Sequence, residues 1–187
     1  EILSGLVGSE MCIRDRYLFA IFPESKPTLP QEKIEELRDA IDSGKYTHFI
    51  KIDLRDFYPS ISHKLLLSKL GKRIRIEPFR KLISDALKNP TVSEGNTKNP
   101  EPVLNGVAQG LSISNVLAEI FMLSIDESIR GLAPICLRFV DDIIILTDSD
   151  ANQVYEEVYR VLRKNKLNPH PLSAPGSKTK IGKISEG

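Results

Sequence analysis

The sequence predicts an α+β fold in which a mostly antiparallel sheet carries helices on one face. Three patterns predict it. Tyr46, His48, Ile50, Ile52 and Leu54 alternate with Phe49, Lys51 and Asp53, which is the two-residue period of a strand running from Tyr46 to Leu54. Apart from Arg138, Leu137 to Val140 and Ile143 to Leu146 are apolar runs containing β-branched residues on either side of Asp141-Asp142, and they read as a hairpin of two short buried strands. Between these strands, apolar residues recur at helical spacing.

Taken in order, the chain opens on a segment that does not read as native. Leu6 to Arg16 resembles a translated sequencing-adapter read, so residues 1–16 are set aside as a leader and native sequence is expected from about Tyr17. Pro23, Pro27 and Pro30 mark an extended connector. Gln31 to Ser43 follows as a helix with Ile34, Leu37 and Ile41 on one face, ended by Gly44. After the strand ending near Asp53, Asp56 to Ile61 turns the chain and Ser62 is placed to cap a helix reaching about Leu70. A second helix, Pro78 to Leu87, brings Phe79, Leu82, Ile83 and Ala86 to one face, and Asn89 to Pro102 is a polar loop.

Gly106 to Ser114 reads as a turn into a greasy helix from Asn115 to Ile129, capped by Ser112 or Ser114 and buried on most sides. Pro134 separates it from the hairpin. Asp148 to Asp150 caps a helix to about Lys164 with Val154, Val158, Val161 and Leu162 inward, and Ile181 and Ile184 mark a last strand. There is no internal repeat and no low-complexity tract.

Composition narrows the class without naming it. A chain of 187 residues suits one domain, and 41% hydrophobic with 27% charged residues is ordinary for a soluble globular protein. The formal net charge of +1 gives no global basic field, so any nucleic-acid contact would rest on local clusters of Lys and Arg. No apolar run approaches the ~20 residues of a membrane span, so no membrane partner is expected. Cys12 and Cys136 form no disulfide framework, which suits a reducing, cytoplasmic compartment.

Asp141-Asp142 is the candidate site. Two like charges at the tip of a buried hairpin are costly unless a positive group neutralises them, and a divalent metal is the simplest such group. The plainer alternative is a solvated acidic turn, since Asp is a common turn residue. If the strand ending in Asp53 neighbours the hairpin, three carboxylates converge at one edge. That is the donor set of a two-metal phosphoryl-transfer site, in which ions ~3.5–4 Å apart clamp the attacking and leaving oxygens. His48, His63 and His170 are scattered, so oxygen donors favour Mg²⁺, with Mn²⁺ possible in its place, over Zn²⁺.

Ile52-Asp53-Leu54-Arg55-Asp56-Phe57-Tyr58-Pro59-Ser60-Ile61, then Gly106-Val107-Ala108-Gln109-Gly110-Leu111-Ser112, then Phe139-Val140-Asp141-Asp142 resemble three consecutive palm motifs of reverse transcriptases. Ser177-Lys178-Thr179-Lys180 is a weaker fourth match. The resemblance, covering about Tyr46 to Ile184, implies a ferredoxin/RRM-like polymerase palm over residues 17–187. The fingers are then partial and the thumb is absent, and a fragment of this kind is expected to be inactive or weak by itself.

The resemblance also implies roles. Asp53 and Asp141 would bind both metals, with Asp142 assisting and the Leu54 carbonyl adding an oxygen. Backbone N–H groups of Asp56 and Phe57 would meet the triphosphate of a deoxynucleotide. Tyr58 would be an aromatic gate against a 2′-hydroxyl, and Gln109 and Gly110 would line the nucleotide pocket. Lys178 would lie near the phosphates and aid the leaving pyrophosphate. An RNA template and a DNA or RNA primer are the implied partners.

Ala108 departs from the family, many of whose members carry proline there. Within the family, the first two motifs look closer to prokaryotic defence-associated and abortive-infection enzymes than to group II intron maturases, with retrons a further possibility. Two other readings stand beside this one. An RNA-dependent RNA polymerase shares the palm but requires a ribose-selecting polar residue where Tyr58 stands, and a degenerate palm kept as an RNA-binding scaffold would be expected to have lost a metal carboxylate.

Overall fold

A computed structural model describes residues 16–88, 104–107, 112–172 and 176–186. Its elements, in order, are α1 (16–21), α2 (Pro30–Asp42), β1 (His48–Arg55), α3 (Phe57–Ser60), α4 (His63–Gly71), α5 (Glu77–Lys88), α6 (Ser112–Arg130), β2 (Ile135–Phe139), β3 (Asp142–Thr147), α7 (Ala151–Lys164), β4 (Asn168–Pro169) and β5 (Lys180–Lys183). This is the α+β fold expected. The described residues fall into two compact units, one drawn from Glu1–Lys26 and Tyr58–Leu123, the other from Pro27–Phe57 and Ser124–Gly187.

The second unit contains the sheet, in the order β2-β3-β1-β4, with β5 also paired to β1. All pairings are antiparallel. β1 is central because its alternation is strong: Ile50, Ile52 and Leu54 are at most 2% exposed, and burying each such side chain contributes about 1.5–3 kcal/mol. Lys51 and Asp53 point to the other side of the pleat. α7 starts where expected, because the Asp150 carboxylate accepts the N–H groups of Asn152 and Gln153 at 2.9 and 3.2 Å. Its inward stripe is Val154, Tyr155, Val158 and Leu162, with Val161 at the margin.

α2 departs from its expected face. It begins at Pro30, and Gly44 takes the left-handed position just past its end at φ 64°. The helix turns inward through Ala40, with Leu37 half-buried, while Ile34 and Ile41 are 49% and 41% exposed. A three-residue apolar spacing defined a stripe but not which side the sheet would cover.

In the first unit, α5 is similarly rotated from expectation: Ile83 and Leu87 are buried and Phe79 half-buried, whereas Leu82 and Ala86 are exposed. Ser62 stands at the N-cap of α4 without a side-chain cap bond. α6 begins at Ser112, a turn earlier than expected, so Ser114 is a buried residue inside the helix and not its cap. The helix is buried on most sides as its greasiness predicted, through Val116, Leu117, Ile120, Phe121 and Met122 and, past the unit boundary, Ile125 and Ile129. The polar loop from Asn89 to Pro102 lies outside the described residues.

Candidate active site

Antiparallel register builds the site. β1 and β3 pair so that Asp53 lies directly opposite Asp142, and the same ladder places Ile52 against Ile143 and Ile50 against Ile145. The Leu54 N–H donates to the Asp141 carbonyl at 3.0 Å, which fixes the hairpin tip against the end of β1. Val140 and Asp141 form the turn and Asp142 is the first residue of β3. The ladder thus sets Asp53 and Asp142 opposite one another and holds the Asp141 backbone beside the end of β1.

Asp53 is more enclosed than its sequence pattern suggested. It is 6% exposed. Its Oδ1 lies 3.1 Å from His170 Nε2, and its Oδ2 lies 3.6 Å from Lys178 Nζ. The His170 backbone N–H donates to the Asp53 carbonyl at 2.9 Å, and the Asp53 N–H donates to the Thr179 hydroxyl at 3.4 Å. β4 carries His170 there, because Leu54 pairs with Pro169. On the neighbouring strand, Asp142 Oδ1 is 3.3 Å from Lys51 Nζ. Lys51 shares the Asp53 face two residues earlier on β1. Lys178 and Lys51 thus place positive charge beside Asp53 and Asp142 respectively, and the His170 ring lies against Asp53.

Sequence reading missed Lys51 and His170. The alternation of β1 placed Lys51 on the Asp53 face and could have flagged it. Nothing local marks His170, which reaches Asp53 only through the pairing of β4.

Oxygen donors suit a hard cation, and Asp142 Oδ1, a buried oxygen, has the Lys51 ammonium at 3.3 Å as its charge partner but makes no hydrogen bond. The carboxylates of Asp53 and Asp142 as they stand face Lys178 and Lys51. Among the described residues, no three His, Cys, Asp or Glu side chains are gathered as a ready metal cage. The donors fit Mg²⁺ or Mn²⁺ in kind, and a bound metal would take over the counter-charge that Lys51 and Lys178 now supply.

The remaining expected residues lie elsewhere in the chain. Asp56 is exposed at φ 49° and Phe57 is 4% exposed. In the other unit, the Tyr58 hydroxyl donates to Asn115 Oδ1 on α6 at 2.8 Å, which holds the ring by its far end. Gly106 sits at φ 95°, and a Cβ there would come 3.3 Å from the Pro59 backbone, so the turn into the second motif requires glycine. The Gly106 N–H donates to Ile61 at 2.8 Å and Val107 to Tyr58 at 3.0 Å, so the first and second motifs are joined by backbone bonds. His63 Nε2 adds a contact to the Gly106 carbonyl at 2.5 Å. Gln109 and Gly110 lie outside the described residues.

Known structures share this fold. Telomerase from Candida albicans, solved with a fragment of telomeric RNA, superposes over 97% of this chain and 34% of its own, with a TM-score of 0.61 at 17% identity. Apo telomerase from Candida tropicalis gives a TM-score of 0.57 at 16% identity, covering 96% of this chain and 40% of that one. The fold is thus that of a polymerase palm.

The family model for reverse transcriptase (RNA-dependent DNA polymerase) matches residues 11–183, and the chain belongs to that family. A Saccharomyces cerevisiae protein named for intron 2 of COX1/OXI3 is 32% identical over 83 residues, which is 44% of this chain and 10% of that protein. The chain therefore spans only a small part of the curated relative it matches. No described helix is long and apolar enough to cross a membrane.

Proposed function

We propose that this chain is the catalytic palm of an RNA-directed DNA polymerase, extending a DNA or RNA primer on an RNA template with deoxynucleoside triphosphates. The observation that carries the reading is the cross-strand pairing of Asp53 with Asp142, with Asp141 stapled beside them, in a chain of this family. A sheet edge that gathers acids which must each be neutralised is costly as mere structure, and it is the feature a nucleotidyl transferase requires.

Asp53, Asp141, Asp142 and the Leu54 carbonyl would hold Mg²⁺ or Mn²⁺, which when bound activates a primer hydroxyl and stabilises pyrophosphate. The protein's own part is to present those oxygens rigidly from two adjacent strands. Lys178, 69% exposed at its side chain, is long and free enough to leave Asp53 for a phosphate. Backbone groups of Asp56 and Phe57 would meet the triphosphate, Tyr58 would exclude the 2′-hydroxyl, and Gln109 with Gly110 would line the base and sugar pocket.

Primer extension by the full-length protein tests this. Incorporation of deoxynucleotides on an RNA template, dependent on Mg²⁺ or Mn²⁺, is the expected result. RNA binding without any extension under either metal would favour a palm retained as a scaffold.

A further inference from the structure

The hairpin tip is held in an unfavourable backbone state, and the group that holds it lies outside all the motifs. Val140, immediately before the Asp pair, has φ 57°. A β-branched residue is strongly disfavoured there, and such outliers persist only when their surroundings impose them. Burial does not impose this one, because Val140 is 44% exposed.

Arg138 does. Its Nη1 donates to the Val140 carbonyl at 3.0 Å. Its Nε lies 3.0 and 3.1 Å from the two oxygens of Asp126 on α6, and its Nη2 lies 2.9 Å from Asp126 Oδ2. The two side chains are 7% and 11% exposed, within the same compact unit. Lys33 Nζ donates to the Arg138 carbonyl at 2.7 Å, fixing the strand beneath. Two consecutive carbonyls of the tip are therefore tied down, Val140 by Arg138 and Asp141 by the Leu54 N–H.

We propose that Arg138, aimed by Asp126, is a positioning residue: it holds Val140 in the left-handed conformation that sets the direction in which Asp141 and Asp142 are presented. The guanidinium fork suits this task, since one planar group reaches a carboxylate with one edge and a carbonyl with the other. A lysine has a single charged end and cannot serve both at this geometry. The inference rests on the polymerase reading for its functional consequence and on the backbone alone for its structural one.

The test uses full-length protein with Arg138→Lys, and with Arg138→Lys combined with Val140→Gly. Amide hydrogen exchange over Val140 to Ile143 is read alongside kcat and KM for deoxynucleotide on an RNA template. Arg138→Lys is expected to raise exchange at the tip at least tenfold over the rest of β2 and β3. It should lower kcat about tenfold or more with KM changed less than threefold. Glycine enters positive φ without steric cost, so adding Val140→Gly should recover at least threefold of the lost kcat. If Arg138→Lys does not fold, Asp126→Asn, which keeps Arg138 but removes the charge that aims it, is read in the same way.

Wild-type exchange and kcat in the folded Arg138→Lys protein would overturn the proposal, as would a further loss of kcat on adding Val140→Gly. A wild-type protein without polymerase activity would instead fail the functional reading. The exchange measurement would then still decide whether Arg138 holds the tip.

Discussion

Asp53 shows what single residues contribute. Its identity as a candidate ligand was legible from strand alternation and motif, but its surroundings were not. His170 and Lys178 are brought to it by a two-residue strand and a loop whose sequences carry no period. Asp126 and Arg138 were equally hidden, because a helix residue and a strand residue pair through packing that no local pattern encodes.

Tyr58 carries the residue-scale prediction about specificity. Its ring is held through its hydroxyl by Asn115. Tyr58→Ala in the full-length protein should raise ribonucleotide incorporation relative to deoxynucleotide by tenfold or more, read from competing single-nucleotide extensions. Unchanged sugar preference would remove Tyr58 from the gate. Cys136 carries another. Burial, and then the Asp126 carboxylate, push its thiol from 9.0 up to about 12. The thiolate is the reactive form, so iodoacetamide at pH 8 should label the folded protein at least tenfold more slowly than the unfolded one at this residue. Because the folded value is the higher one, the unfolded thiol ionises first. Stability should therefore fall as pH rises from about 9 toward 12, by the linkage of proton loss to unfolding. Equal labelling of folded and unfolded protein would contradict the raised thiol of Cys136.

At the scale of elements, strands were more legible than helix faces. The period of β1 was readable because its two pleat faces differ, and the hairpin of β2 and β3 because largely apolar runs flank Asp141-Asp142. α2 and α5 were placed correctly along the chain, but their buried sides were rotated, since an apolar stripe says nothing of what covers it. β4 was too short to carry a signature. β5 was expected from Ile181 and Ile184; it runs Lys180–Lys183 and leaves Ile184 to a 3₁₀ turn.

β5 also joins β1 through a close packing that makes a sharp prediction. Gly182 pairs with Phe49, and a Cβ on Gly182 would come within 2.6 Å of the Phe49 ring. Gly182→Ala should cost about 1–3 kcal/mol in unfolding free energy, as overpacking does. In a Phe49→Leu background, chemical denaturation should show the cost of Gly182→Ala reduced by at least half. Full additivity would mean that the ring is not what the new methyl meets.

For the whole molecule, the near-neutral charge gave no sign of the reverse-transcriptase family, and the ordered motifs did. The carboxylate edge has two local cations, Lys51 and Lys178, beside it, and no global basic field. The structure orders these groups by one ladder, Asp53 against Asp142, which sequence spacing could suggest only through the hairpin. Lineage within the family is a question for the neighbouring genes: an adjacent noncoding RNA would mark a retron, and a fused effector would mark defence.

The most direct measurement compares single-turnover primer extension on an RNA template by full-length protein with that of its Asp142→Asn variant, with unfolding followed in parallel. If Asp142 holds a metal, its loss removes several kcal/mol of transition-state stabilisation, and the rate should fall at least about a hundredfold in a protein that remains folded. Full synthesis by the folded Asp142→Asn protein would contradict the account.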